Sequence, residues 1–260
     1  KKFKIRELPS QEMKTSAGAT WDAPTAGNAL SGTWASAFGE QIDIVVSNND
    51  GMGMSMYSNW AKENKVPVFG YDANSDAVAA LGDTDFPYGG TISQNPAVQA
   101  YLTLRLLRNS LDGVDVNTGV GKADDAGNVI AEDDFKFSKD DRSFYAMNLE
   151  VTADNYKDFT DPANTLYETA QAQLDEKDSP KKKVWLSIYN SADNFLGSTY
   201  KPLLEKYAPL LNLDLEVVQG DGQNESSITN KLGNPADFDA FAINMVKTDN
   251  GASYTSILGQ

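Results

Sequence analysis

The sequence contains neither histidine nor cysteine among its 260 residues. Without histidine, the chain has no Ser–His or Cys–His nucleophile pair, no imidazole proton shuttle and no histidine-bound zinc. Without cysteine it has no disulfide, so the sequence carries no sign of a redox compartment. Catalytic chemistry would therefore have to rest on carboxylates or lysine.

Basic residues are scarce as well. The 22 lysines and arginines stand against 37 aspartates and glutamates, which gives a formal net charge of −15. Because phosphate groups are bound by lysine and arginine, this balance argues against nucleic acid or an anionic membrane as a partner. No apolar run approaches the ~20 residues of a membrane-spanning helix. No signal peptide is visible, and the GxSxG, P-loop and GxGxxG motifs are absent.

What the chain does have is an alternation of apolar, strand-like runs with amphipathic, helix-like segments. This alternation is typical of an α/β fold with a mostly parallel sheet, and runs rich in valine and isoleucine are expected to be buried parallel strands. The predicted strands cover 3–8, 42–47, 66–71, 90–92, 183–189, 213–219 and 239–244. The predicted helices cover 25–39, 52–65, 74–81, 96–112, 154–159, 194–211, 225–232 and 253–258. Asn95 is expected to cap the helix that begins at Pro96.

The middle of the chain is polar and follows neither pattern. Residues 112–142 predict a hairpin or loop excursion with a turn at 124–128, and 143–151 is extended. Residues 163–180 predict a linker. The acidic pairs at 124–125 and 133–134 lack the spacing of a calcium-binding loop, so we expect solvated loop there and no metal site.

Polar and aromatic residues follow several predicted strands. Asn49 and Asn244 come at the ends of two similar buried strands, and ligands of open α/β sheets bind outside the carboxyl ends of strands. Trp21 and Phe195 occupy loops that precede helices. Two aromatic rings can sandwich the apolar face of a pyranose while acid and amide side chains hold its hydroxyls.

Each of these residues has an alternative interpretation. Trp21 would also suit a protein core, and Phe195 would suit a hydrophobic staple at a helix start. Asp193 and Asp72 are typical helix caps, and the strand-end asparagines are typical turn residues. A carboxylate pair from Asp22, Asp72 and Asp193 would suit a glycosidase, although the sequence shows no apolar pocket that would keep one of them protonated.

At these residues the chain resembles the periplasmic glucose/galactose-binding proteins of bacterial ABC transport and chemotaxis. Residues 42–54 (IDIVVSNNDGMGM), 66–72 (VPVFGYD) and 90–92 are similar to the family's C-terminal lobe, and 151–159 (VTADNYKDF) is similar to its carboxyl end. Residues 186–195 (LSIYNSADNF), 221–225 and 241–246 are similar to the family's opening part. The order of these segments resembles a circular permutation.

The resemblance implies a two-lobe type I periplasmic-binding-protein fold with doubly wound parallel sheets. One lobe would contain 1–93 and 143–162, and the other 94–142 and 181–260, joined by the permutation linker 163–180. The second lobe is expected to be incomplete, because only three strands are predicted in it. The family's His/Asp/Arg cluster and calcium loop have no counterpart, although Asp43 lies where the family has a calcium-ligating acid.

The resemblance also implies a site and partners. A hexose, D-glucose or D-galactose, would be bound between the lobes without a cofactor and passed to an ABC permease. The implied protein is a monomer without enzymatic activity, extracytoplasmic, with room for a lipid anchor on a segment outside this sequence. An effector-binding domain of a repressor-type regulator is the alternative. The implied ligand-binding residues are Trp21, Asn49, Asp72, Gln94, Asp193, Phe195 and Asn244.

Overall fold

The computed structural model describes residues 4–16, 18, 20–121, 135–138, 143–160, 176, 178–190, 192–222 and 224–259. It divides into two compact units, each built from separate stretches of chain. Unit 1 contains Lys1–Gln94 and Asn148–Pro162, and unit 2 contains Asn95–Met147 and Ala163–Gln260. The chain therefore passes from one unit to the other three times.

Within the described residues, short strands alternate with helices along most of the chain. The strands are β1 (Val45–Val46), β2 (Val68–Phe69), β3 (Thr91–Ser93), β4 (Phe135–Ser138), β5 (Ser143–Ala146), β6 (Leu149–Val151), β7 (Lys182–Ile188), β8 (Leu213–Gln219) and β9 (Ala240–Ile243). The helices are α1 (Ala23–Asn28), α2 (Ala35–Phe38), α3 (Asp50–Met56), α4 (Ser75–Ala80), α5 (Pro96–Leu111), α6 (Lys157–Thr160), α7 (Lys201–Tyr207), α8 (Ser226–Thr229) and α9 (Gly251–Leu258). Helical turns of π and 3₁₀ type extend several of them: Ala29–Trp34, Gly39–Gln41, Tyr57–Ala61, Leu196–Tyr200 and Ala208–Leu211.

Unit 1 is built on a small mixed sheet. β1 pairs with β2 in parallel, a parallel bridge joins Phe69 to Gly90, and β3 pairs with β6 antiparallel. Helices α1 and α3 pack closely because Gly27 has no side chain: a Cβ there would lie 2.3 Å from Asn59 Nδ2 and 2.4 Å from Ser55 Oγ. The alternation predicted for this region is confirmed.

The strand predicted at 42–47 is buried on one face only. Val45 is buried, whereas Ile44 is 52% exposed and Val46 is 74% exposed. Successive side chains of a strand point to opposite faces, and the described residues of unit 1 cover only the face that carries Val45. The expectation of a strand buried on both sides is therefore wrong for this part of the chain.

Two smaller predictions in the first half of the chain are also wrong. Residues 4–8 form no strand, since Ile5 is 94% exposed and has no sheet to pack against. Asn95 does precede α5, and Pro96 begins the helix as predicted, but the Asn95 side chain makes no capping bond. Its backbone is left-handed, with φ of 55°, so the residue acts as a sharp turn into the helix rather than as a cap.

Unit 2 contains a three-stranded parallel sheet in the order β8, β7, β9. β7 is central, and its residues from Val184 to Ile188 are buried on both faces. Helix α5 contributes the buried side chains of Val98, Tyr101 and Leu104 to the same core. The strands predicted at 183–189, 213–219 and 239–244 are confirmed to within two residues. β7 shows the continuous apolar run that a central parallel strand needs.

The polar region between residues 112 and 182 is only partly described. β4 and β5 pair antiparallel, and β5 agrees with the extended segment predicted from residue 143 onward. The turn predicted at 124–128 lies outside the described residues. β5 belongs to unit 2, whereas the sequence analysis assigned 143 onward to the other lobe. Near the end of the predicted linker, Arg105 forms an ion pair with Glu176, and Arg108 donates to the backbone oxygen of Pro180 over 2.6 Å. These contacts attach Glu176 and Pro180 to unit 2.

Candidate functional site

Three of the candidate residues lie at one edge of the sheet in unit 1. Asn49, Asp72 and Gln94 follow β1, β2 and β3. Beyond the strands, the backbone continues to pair, because Asp50 N donates to Tyr71 O over 2.7 Å and Asp72 N donates to Ile92 O over 2.8 Å. The three strand-end loops therefore run side by side.

Asp72 and Gln94 are in direct contact. Gln94 Nε2 donates to Asp72 Oδ1 over 2.6 Å. Asp72 and the next residue, Ala73, have positive φ angles of 111° and 53°, which L residues rarely adopt and which cost free energy unless the surroundings enforce them. The residue that caps α4 is Asn74. Asp72 thus lies in a strained turn before the helix rather than at its cap.

The side-chain oxygen of Asn49 has a structural role that does not involve its Nδ2 group. Its Oδ1 accepts a hydrogen bond from Met52 N over 2.9 Å and so caps α3. An amide has one acceptor oxygen and a donor NH₂ group. With the oxygen directed to the helix, a ligand at this edge would meet the Nδ2 group of Asn49.

A residue that the sequence analysis did not select lies beneath this edge. Asp50 is fully buried, and its Oδ2 accepts hydrogen bonds from Asn74 N over 2.9 Å and from Thr91 Oγ1 over 2.8 Å. Burial raises the pKa of the Asp50 carboxyl to about 6, although these hydrogen bonds oppose the shift. The sequence offered one signal for it, namely an acid placed directly after a strand-end asparagine.

Trp21 is not a core tryptophan. It is 42% exposed and has a positive φ of 58°. The next residue, Asp22, caps α1 by accepting a hydrogen bond from Thr25 N over 2.9 Å, and hydrogen bonding to Thr25 lowers the pKa of the Asp22 carboxyl. The indole ring is therefore held at the start of a helix and open to solvent.

In unit 2, Asp193 and Asn244 follow neighbouring strands of the sheet. Ser187 of β7 is in register with Ile243 of β9, so these strands end at the same edge. Asn244 Oδ1 accepts a hydrogen bond from Tyr189 N over 3.2 Å, and Asn244 N donates to Ser187 Oγ over 3.1 Å. The side chain of Asn244 thus closes the end of β7.

Asp193 and Phe195 take the positions of a helix cap and a core residue. Asp193 Oδ1 accepts a hydrogen bond from Leu196 N over 2.9 Å. Phe195 is 6% exposed, and its ring stacks on Tyr200 with centroids 6.1 Å apart. Within unit 2, Asp193 therefore caps a helix and Phe195 packs among buried side chains.

The described residues hold no group of three or more acidic side chains that could bind a metal ion. Among the same residues, no helix has the length and apolar character needed to cross a membrane.

Comparison with known proteins gives two family matches. Residues 2–115 and residues 181–251 each match a model described as a periplasmic binding protein domain. The two matched segments together cover more than half of the chain. The α/β units with parallel strands agree with these matches, which confirms the predicted fold class.

Curated relatives match shorter stretches. The chain is 26% identical over 123 residues to the D-galactose/methyl-galactoside binding periplasmic protein MglB of Haemophilus influenzae, covering 45% of this chain and 37% of that protein. It is 31% identical over 116 residues to the xylitol-binding protein of Mycolicibacterium smegmatis, covering 44% of this chain and 32% of that protein. The chain thus spans about a third of the length of these relatives. The matched families and relatives are solute-binding proteins rather than enzymes, and residues 2–115 and 181–251 of this chain are similar to periplasmic binding protein domains.

Proposed function

We propose that this protein is an extracytoplasmic solute-binding protein that captures a hexose, D-glucose or D-galactose, for uptake by an ABC permease. The observation that carries the proposal is the polar edge of unit 1, where Asp72 and Gln94 are hydrogen-bonded to each other beside Asn49. Unit 1 would contribute these residues and Trp21. The proposed roles of Asp193, Phe195 and Asn244 as sugar ligands rest on the family resemblance.

The chemistry of this edge suits a neutral polyol. One oxygen of the Asp72 carboxylate accepts from Gln94, and a carboxylate can accept a sugar hydroxyl in a charge-assisted bond. The amide groups of Gln94 and Asn49 supply donors and acceptors without adding charge. A ligand with several hydroxyls and no charge matches this set better than a phosphate or an acid, since an anion would meet the Asp72 carboxylate.

Trp21 supports a ring-shaped ligand. An exposed indole offers a flat apolar surface, and the C–H face of a pyranose packs against such a surface while its hydroxyls point outward. The contribution of Phe195 rests on the resemblance, because its ring packs on Tyr200 in the described contacts.

An acyclic sugar alcohol is the second candidate. The observation that favours it is the match to a xylitol-binding protein, which has the higher identity of the two relatives given above. The amide and acid groups of unit 1 suit vicinal hydroxyls whether or not they belong to a ring. A sugar alcohol would make less use of the flat face of Trp21 than a pyranose does.

Calorimetry on the full chain tests the proposal. Titration with D-glucose, D-galactose, D-ribose and xylitol at concentrations up to the millimolar range should give heat with at least one hexose. Heat with xylitol and none with either hexose would select the second candidate. A folded protein that gives no heat with any of the four would overturn both, and turnover of a chromogenic glycoside would indicate a hydrolase instead.

Delivery to a permease and an extracytoplasmic location are proposals that follow from the family. The matched models describe periplasmic proteins, as does the name of one relative. Fractionation of cells that produce the protein, with its natural leader, should place it outside the cytoplasm. Recovery in the cytoplasmic fraction would favour the repressor-type effector domain. We also propose a monomer, which light scattering would check.

A further inference from the structure

Asp50 is a buried acid in the middle of the polar edge of unit 1. Asp50 is fully shielded from solvent. Its neighbours Tyr88, Thr91 and Asn74 are also buried, with 1%, 3% and 3% of their surfaces exposed. Burying a carboxylate is costly unless hydrogen bonds compensate for the lost water. Here the compensation is two short hydrogen bonds to Oδ2, from a backbone N–H and a threonine hydroxyl, and the Tyr88 hydroxyl lies 3.5 Å from Oδ1.

Asp50 is bonded to each of the three chain segments that carry Asn49, Asp72 and Gln94. Asp50 is covalently attached to Asn49. Its carboxylate accepts from the N–H of Asn74, two residues after Asp72. The same carboxylate accepts from Thr91, which lies on β3 three residues before Gln94. One side chain thus joins three loops that are far apart in sequence.

Thr91 links Asp50 to Ala73, the residue that follows Asp72. Its hydroxyl donates to Asp50 Oδ2 over 2.8 Å and also accepts a hydrogen bond from Ala73 N over 3.2 Å. The N–H groups of two consecutive residues after Asp72 are therefore bound through Asp50, one directly and one through Thr91. These bonds hold the turn in which Asp72 and Ala73 have positive φ angles.

The backbone packs closely against Asp50 and Tyr88. A Cβ at Gly70 would lie 2.1 Å from Asp50 Oδ1 and 2.5 Å from the Tyr88 hydroxyl. A Cβ at Gly53 would lie 2.1 Å from the same hydroxyl. Glycine at position 70 therefore allows the backbone to approach the carboxylate, and glycines at both positions allow it to approach the tyrosine.

We propose that Asp50 is a positioning residue for the solute site: through Asn74, and through Thr91 and Ala73, its carboxylate holds the strained turn that presents Asp72 to Gln94 and keeps both beside Asn49. The role rests on the proposed function, since it presupposes that this edge binds the solute. Asp50 itself is buried below the edge and touches no ligand. Its effect on affinity is exerted through the geometry of the three loops.

The first arm of the test uses threonine variants in the full chain. Thr91→Val preserves the shape of the side chain and removes the hydroxyl that links Asp50 to Ala73, whereas Thr91→Ser retains that hydroxyl as a matched control. We expect Thr91→Val to weaken binding of the preferred sugar by at least about tenfold, the equivalent of one hydrogen bond to a charged group. Thr91→Ser should remain within about threefold. Unchanged affinity in a folded Thr91→Val protein would overturn the positioning role.

The second arm needs no sugar. Amide hydrogen exchange of Ala73 and Asn74 should be faster in Thr91→Val and in Asp50→Ala than in the wild type, and close to wild type in Thr91→Ser and in Asp50→Asn, where the side-chain oxygen can still accept. The amide of Leu186 in unit 2 serves as an internal reference. If Asp50→Ala does not fold, the comparison of Thr91→Val with Thr91→Ser is sufficient to test the proposal. Equal protection of Ala73 and Asn74 in all variants contradicts the proposal.

The two arms separate the possible failures. If the wild-type protein binds no sugar, the proposed function is wrong, and so is the role of Asp50 in binding. Amide exchange in the same protein still shows whether Asp50 holds the turn. Loss of affinity in Thr91→Val with rescue in Thr91→Ser supports both proposals together.

Discussion

Gln94 donates its Nε2 hydrogen to Asp72 Oδ1 across 2.6 Å, although 22 residues separate them in the sequence. The contact forms because the parallel strands before these residues end at the same edge of unit 1. It places the Nε2 group of Gln94 on the Asp72 carboxylate. The contact therefore brings an acid and an amide together at the edge that is proposed to bind the sugar.

Gln94→Ala should weaken sugar binding by about 1–2 kcal/mol, because Asp72 loses the donor that fixes its rotamer and a ligand loses an amide contact. Isothermal titration of the full chain measures the change. Gln41→Ala is the matched control, since Gln41 is exposed at the end of a helical turn in the same unit. Equal affinities for both variants would remove Gln94 from the site.

Trp21→Ala should weaken hexose binding by roughly 1–3 kcal/mol and change the free energy of unfolding little, because the indole is exposed and stacks only when ligand is bound. Trp21→Phe should retain part of the affinity. By contrast, Trp185→Ala should destabilise the protein by about 3–5 kcal/mol, since Trp185 is fully buried. Calorimetry and denaturant unfolding separate the two effects, and a large loss of stability in Trp21→Ala would contradict this assignment.

Stability should depend on pH through Asp50. Burial raises the pKa of its carboxyl from the ordinary 3.8 to about 6, so between these values the folded state binds more protons than the unfolded state. The free energy of unfolding should therefore rise as pH falls from about 7 to about 4, by up to about 3 kcal/mol. Urea unfolding of wild type and Asp50→Asn at several pH values isolates this contribution.

In that experiment, the difference in stability between Asp50→Asn and wild type should be largest in favour of the variant at pH 7 and shrink toward pH 4. The neighbouring Asp76 also raises the pKa of Asp50, while Asn74, Thr91 and Tyr88 lower it through hydrogen bonds. A difference that stays constant across this range would show that the carboxyl titrates at its ordinary pKa.

Gly70→Ala should destabilise the protein by about 1–3 kcal/mol and also weaken sugar binding, because the added methyl group would push against Asp50 and Tyr88. Gly32→Ala is the matched control: its Cβ would meet nothing within 4 Å in a helical segment. That substitution should be neutral or stabilising by up to about 1 kcal/mol. Thermal unfolding monitored by circular dichroism measures both, and equal midpoints would argue against close packing at Gly70.

Local patterns in the sequence were sufficient for much of the secondary structure. β7 was predictable because a strand between two others must be apolar on both faces, and the segment Val184–Ile188 meets that demand. The clustering of Asn49, Asp72 and Gln94 was predictable for a related reason, since parallel strands place their carboxyl ends at one edge. The exposed positions Ile44 and Val46 were not, because an apolar run does not reveal which of its faces will be covered.

The roles of individual side chains at the site depended on partners that are distant in sequence. The sequence left Phe195 open between a ligand contact and a hydrophobic staple at a helix start, and in the folded unit its ring stacks on Tyr200. Trp21 is of a residue type that is common in cores, yet it is 42% exposed in the described structure. Burial is a property of the assembled unit and not of the residue.

The α/β architecture, the strand ends that carry polar groups and the absence of histidine or thiol chemistry all follow from composition and local periodicity. The identity of the buried acid at this edge, Asp50 rather than one of its neighbours, depends on the folded chain. Its partners Asn74, Tyr88 and Thr91 lie 24 to 41 residues away along the chain. They contact the carboxylate only once the strands are paired. Because burying a charge is costly, these hydrogen bonds are what stabilises the buried carboxylate.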